Sequence, residues 1–370
     1  MRVILSVLVL AFATIGPVQA QDPYTITGVA IDATADNAYE AQAAALRSGQ
    51  AEAARRLVAR LTLAEDRLET GLDESVYINE MGEEFSFYVL DDVTVAEMIS
   101  GLEVMDERRS ATRYLANLTV SFDPRAVERL MTRLGVPYVE SQSRPLLVLP
   151  IYERNGSFEL WTDNAWRRAW QSGGFEHALT PMFVPAGREG ESVISARGAL
   201  SLSNSGLRQL AALYGVDRMA ILRARSEEIG ENRTRQRLGG YLVDLSDAEE
   251  PQVETWGPVN IEGSWAETAD AFLTAREDEW KRVSIVRDAE LHALEVTVLY
   301  NALGEWRGLQ SSLTGASLVE QARLDALSRH GALMTVTYRG AQEQLINELG
   351  ERGLVLEEQP GLGWVAREDG

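Results

Sequence analysis

TRYLANLTVSFDPRAVERLM, residues 112–131, changes its period midway. Up to Asp123 the side chains alternate, with Tyr114, Ala116, Leu118, Val120 and Phe122 on one face and Asn117, Thr119 and Ser121 on the other. That is the pattern of a strand with one buried side. Pro124 then supplies a preset φ and lacks an N–H that a first helical turn would leave unpaired, so a short helix is predicted from Pro124 to Leu134.

Upstream, YTITGVAID (24–32) is alternating and β-branched, and Asp36-Asn37 breaks it before an Ala- and Arg-rich helix at about 37–62. Ala41, Ala45, Ala51, Ala54, Val58 and Leu61 make its apolar stripe, and Arg55, Arg56 and Arg60 are expected to turn largely outward. Gly49 costs about 1 kcal/mol in such a helix and marks either a kink or a close contact. Residues 64–96 are acidic and irregular, with a strand expected at Phe85–Leu90, and a further strand lies near 98–108. The order is β-α-β-β-α.

Downstream, Val136-Pro137 to Arg144-Pro145 reads as a linker. PLLVLPI (145–151) is almost continuously apolar, as in a sheet covered on both faces. Asp163 or Thr162 is placed to cap a helix to Gln171, stopped by Gly173-Gly174, and Asn204 or Ser205 to cap LRQLAALYG, stopped by Gly215. VDRMAILRAR (216–225) is a second buried strand, followed by hairpin material to Trp256. Ser264 and Glu267 form a capping box for a helix bearing Trp265, Ala269, Phe272 and Arg276 on one side. The last stretch has a similar element order to the first. LEVTVLY (294–300) is a strand, Leu303, Trp306, Leu309 and Leu313 line a helix, and a hairpin turns at His330-Gly331. Ala341, Leu345 and Leu349 stripe a second helix, and Leu354–Ala366 closes the sheet. The fold class is therefore multidomain, α+β with α/β. It comprises a β-α-β-β-α module at 21–136, an α/β module with a mixed sheet at 144–283, and an α+β module at 288–370.

Residues 1–20, MRVILSVLVLAFATIGPVQA, have the charged start, apolar middle and small-residue end of a secretory signal peptide cut after Ala20. The apolar run of about 13 residues is short of the ~20 that span a bilayer, so no transmembrane segment is expected in the mature chain. Loss of Arg2 with the leader takes the formal net charge from −21 to −22, so the surface is expected to repel nucleic acid and anionic lipid headgroups. With no cysteine the fold rests on its core without disulfides.

His177, His292 and His330 stand apart with no ligand spacing; His292 reads as structural or surface, and His177 and His330 as surface-loop residues. H-E-x-x-H, G-x-S-x-G, the Walker loop and G-x-G-x-x-G do not occur. Asp278 precedes the one lysine, Lys281, by three positions, so S-x-x-K is absent too. No metal, cofactor or catalytic residue is expected. ELWTDNAWRRAW (159–170) concentrates three of the eight tryptophans. Trp166 and Trp170, at i and i+4, share a helix face, and core packing is their first reading. The alternative is a glycan-binding groove or hydrolase cleft at Trp161, Asp163, Trp166, Arg167 and Trp170, with Glu159 and Asp163 as the carboxylate pair.

YTITGVAID with its Ala-rich helix, TVSFDPRAVERLM, RPLLVLPI, ELWTDNAWRRAW and TVTYRGAQEQLINELGERGLVLEE together resemble bacterial exported proteins carrying the domain of unknown function 2066. The similarity extends over nearly the whole mature chain, with Ala165 where that family tends to have proline. It implies an envelope location and this module order, and it carries over no catalytic residue. RPLLVLPI followed by LRQLAALYGVDRMAILRAR is similar, more loosely, to the N-terminal domain of TolB and to lipoprotein activators of penicillin-binding proteins, non-enzymatic modules that act through protein contacts. The expectation is a periplasmic or secreted, non-enzymatic scaffold or regulator with an envelope protein as partner; its oligomeric state is not legible.

Overall fold

The change of period at Pro124 is a change of element. A computed structural model describes residues 22–368 except 71, 73–74, 79–83, 88–89, 140, 231–232, 248–249 and 288–289. The expected leader and its cleavage site after Ala20 lie outside the described residues. The first module runs β1 (Thr25–Thr34), α1 (Ala38–Leu61), α2 (Ala64–Thr70), a hairpin of β2 (Ser75–Ile78) and β3 (Glu84–Phe87), α3 (Asp92–Met98), β4 (Ile99–Arg109), β5 (Arg113–Phe122) and α4 (Pro124–Leu134). The strand expected at Phe85–Leu90 is β3, and 88–89 are among the residues not described.

The sheet order is β1-β5-β4, antiparallel at each pairing. β1 and β4 thus run parallel with β5 between them, a split β-α-β arrangement. Tyr114, Ala116, Leu118, Val120 and Phe122 of β5 are all buried, as the alternation requires. At Gly49 a Cβ would collide with Ile31 and Leu118, so that glycine marks a close helix–sheet contact. Arg55 and Arg56 turn outward, but Arg60 does not. Its Nη1 donates to the carbonyls of Pro23 at 2.6 Å and Thr25 at 2.9 Å, closing the start of β1. The expected linker is also packed, since Val136 and Val139 are buried in this core and Val139 N–H bonds Leu61 O at 2.9 Å.

The middle module contains β6 (Leu146–Arg154), β7 (Ser157–Glu159), α5 (Ala165–Gln171), β8 (Met182–Phe183), α6 (Ala196–Leu200), α7 (Asn204–Tyr214), β9 (Arg218–Gly230), β10 (Arg233–Asp244), β11 (Gln252–Glu262) and α8 (Trp265–Ser284). Its sheet is mixed. Strand order is β11-β10-β9-β6-β7, β8 flanks the start of β6, and β6 is parallel to β9 and β8. Leu147, Leu149 and Ile151 pack with Leu207, Leu210 and Tyr214, while Leu146 and Val148 pack with Trp166, Trp170 and Phe272. Covering on both faces explains the unbroken apolar run.

Two expected caps move. Asn164, not Asp163 or Thr162, caps α5, its Oδ1 accepting from Arg167 N–H at 2.9 Å. Ser203, without a side-chain bond, precedes α7 in place of Asn204 or Ser205. The capping box of Ser264 and Glu267 forms as read. Helix α8 joins two cores. Ala269 and Phe272 belong to the middle module, whereas Trp280 and the following Ile285 are buried with the first, together with Leu179.

The last module is β12 (Leu291–Leu299), α9 (Leu303–Thr314), β13 (Val319–Leu327), β14 (Gly331–Arg339), α10 (Gln342–Glu351), β15 (Leu354–Gln359) and β16 (Gly363–Glu368). Its strand order, β13-β14-β12-β16-β15, repeats the β1-β5-β4 layout in β12-β14-β13 and adds a hairpin whose β16 is parallel to β12. Trp306, Leu309 and Leu313 are buried, but Leu303, in the first turn of α9, is exposed.

Candidate functional site

The tryptophan segment is interior. Trp161, Trp166 and Trp170 are 5%, 0% and 3% exposed, and Arg167 4%. The sheet separates them. Trp161 lies in the core on the α7 side and donates Nε1–H to Ile194 O at 2.7 Å. Trp166 and Trp170 lie on the α8 side, 5.5 Å apart edge to face, with Trp265 against the first and Phe175 and Phe272 against the second. Arg167 sits 5.9 Å above the Trp161 ring and donates to the carbonyls of Leu160, Pro185 and Gly187. Burial lowers its pKa from the ordinary arginine value. Asp163 alone of the five reaches solvent, paired with Arg168 at 2.8 Å. These burials favour core packing, the first of the two readings, over a groove, because i, i+4 aromatics on a helix above a sheet have no free face once a second helix closes over them.

His177 is corrected. It is 8% exposed, and its Nδ1 lies 3.0 Å from Asp22 O. His292 and His330 are exposed, the first 5.6 Å from the Tyr338 ring. Among the described residues no three acidic or histidine side chains converge as metal ligands, and no helix is long and apolar enough to cross a membrane.

Two surface features stand out, and neither is marked by a motif. The first is the outer strand of each terminal sheet. Leu102 and Val104 of β4 lie opposite Val120 and Leu118, so they project to the core side. They are nevertheless 40% and 38% exposed. β13 repeats the pattern. Val319 and Ala322 pack against the core, whereas Leu324, opposite the buried Met334, and Leu327 are 42% and 58% exposed. Helix cover gives out before the outer strand ends in both modules.

The second is an arginine-rich face on the middle sheet. Arg223 and Arg225 of β9 and Arg235 and Arg237 of β10 share the side of Ile221 and Tyr241, and in register Arg225 lies opposite Arg237 and Glu227 opposite Arg235. Glu227 is shared by Arg225 at 2.7 Å and Arg235 at 3.0 Å, and those guanidiniums, Arg235 first, hold its carboxyl below the usual range. Arg223 lies 3.4 Å from Glu153, and Arg233, at the strand end, is 3.9 Å from Glu262. A depression of about 220 Å³ adjoins this face, lined by Arg223, Arg237, Gly239, Tyr241, Thr255 and Pro258 among others.

The comparisons with known proteins add no relative to this geometry, since no family model, no curated protein and no solved structure matches the chain.

Proposed function

We propose that this protein is a non-enzymatic component of the bacterial cell envelope, a scaffold or regulator that works by holding another protein. One observation carries the reading: both terminal modules leave core-side apolar residues of an outer strand in contact with water, at Leu102 and Val104 and at Leu324 and Leu327. Exposed apolar side chains on a sheet edge are a liability that a protein partner relieves, either by adding a strand or by laying a helix over the open end. The signal-like leader and the resemblance to exported proteins carrying the domain of unknown function 2066 support an envelope setting.

Photo-crosslinking residues placed at Leu102 and Leu324 in intact cells test it. The expected result is a discrete heteromeric product from at least one position and none from Tyr39, which is 80% exposed on α1. Monomer alone at both strand positions refutes the reading.

A further inference from the structure

We infer that the arginine-rich face of β9 and β10 is a receptor for a phosphate-type oxyanion, seated between Arg223 and Arg237 beside Gly239. This site is independent of the outer strands and of whatever partner covers them. Its first support is that guanidiniums gather where carboxylates do not match them. Arg225 and Arg235 divide one carboxylate, Glu227, and among the described residues no ion pair reaches Arg237. Like charges directly across an antiparallel pair are destabilising, and Arg225 and Arg237 are such a pair. An arrangement that costs stability in the free protein gains a reason when an anion is the missing partner.

The second support is space. Gly239 lies opposite Arg223 with Pro258 of β11 packed against it, and the depression of about 220 Å³ is lined by Arg223, Arg237 and both of these residues. Tyr241 and Thr255 add hydroxyl-bearing side chains to its lining. One fork saturates a planar carboxylate, whereas a phosphate-type group has oxygens enough for two forks and further donors. Arginine on a rigid sheet suits that geometry better than a mobile lysine. The net charge of the whole chain repels anions at long range, so binding depends on these short contacts, and a free ion is held weakly.

Calorimetric titration of the purified protein with sodium pyrophosphate tests the site, with phosphatidylglycerol vesicles and polyglutamate as parallel arms. The expected result is saturable pyrophosphate binding that weakens about tenfold or more in Arg237→Gln and further in Arg223→Ala/Arg237→Ala, because each variant removes a charged donor. Arg168→Ala, outside the face, should bind like wild type. Arg237→Gln changes one exposed side chain, so it keeps the test decisive if the double variant fails to fold. Vesicle binding with the same Arg237 dependence, with or without pyrophosphate binding, identifies a lipid phosphate as the source. The proposal is overturned if neither pyrophosphate nor vesicles bind, if binding survives in the double variant, or if only polyglutamate depends on Arg237.

Discussion

Glu277 shows how a single residue ties the modules together. It is 7% exposed on α8, its Oε1 accepts the N–H of Leu179 at 2.8 Å, and Arg60 of α1 faces it as a charge partner. Burial pushes the Glu277 carboxyl up from its ordinary 4.5 and the Arg60 guanidinium down, desolvation outweighing their attraction. A carboxyl whose native pKa lies above the unfolded value binds its proton more tightly when folded. Its contribution to stability is therefore largest on the acid side and falls as pH rises from about 4.5 through the raised value. Chemical denaturation of Glu277→Gln across that range should show a flatter pH dependence than wild type. Glu277→Ala should cost about 1–3 kcal/mol, because it leaves the buried Leu179 N–H without its acceptor. Nothing in EDEWKR foretells this: the sequence shows an acidic residue among others on a helix, and burial by another module is what gives it consequence. Lys281 is similar. The sole lysine is 3% exposed, with Nζ donating to Ala59 O at 2.9 Å and to Asp278 at 3.1 Å.

Among the elements, the helices were legible where their ends carry side-chain signals. Ser264 and Glu267 cap α8 reciprocally, and Ser264→Ala should lower stability by about 1 kcal/mol in a denaturant titration. Asn164 is a sharper case. Capping a seven-residue helix from a site 7% exposed, Asn164→Ala removes the acceptor of Arg167 N–H and should cost about 2 kcal/mol, the upper end for caps. The sequence offered Thr162, Asp163 and Asn164 in succession, each chemically able to cap. The structure places the cap at Asn164. Strand pattern in β5 translated directly into burial, but β4 and β13 did not, since a strand's alternation cannot say where helix cover ends. The arginine face was hidden for a related reason. VDRMAILRARSEE and RTRQRLGG each scatter arginines at alternate positions, and only the register of β9 on β10 sets Arg225 against Arg237.

At the scale of the molecule, the three modules are linked by side chains that cross between them. Trp280 donates Nε1–H to Ser141 O at 2.7 Å from within the first module's core. Asp66 of α2 holds Arg287, just after α8, at 2.8 Å. Arg144 and Arg218 bridge Asp217 and Asp244 of the middle module to Glu351 of α10, and Gln344 bonds the carbonyls of Val283 and Ile285. Such crosslinks should make the modules unfold together. Trp280→Ala, which empties a large side chain from the shared core, should cost about 3–5 kcal/mol and broaden or split a single calorimetric transition. A single sharp transition in that variant would show that the coupling lies elsewhere. The amino-acid sequence by itself determined the period, type and order of most elements and the mixed sheet of the middle module, because alternation, caps and breakers act over a few neighbouring residues. Only the tertiary structure decided that the tryptophan segment is core, that α8 serves two modules, which outer strands lack cover and which arginines meet. Each of those depends on what packs from a distant part of the chain, and local patterning carries no information about that.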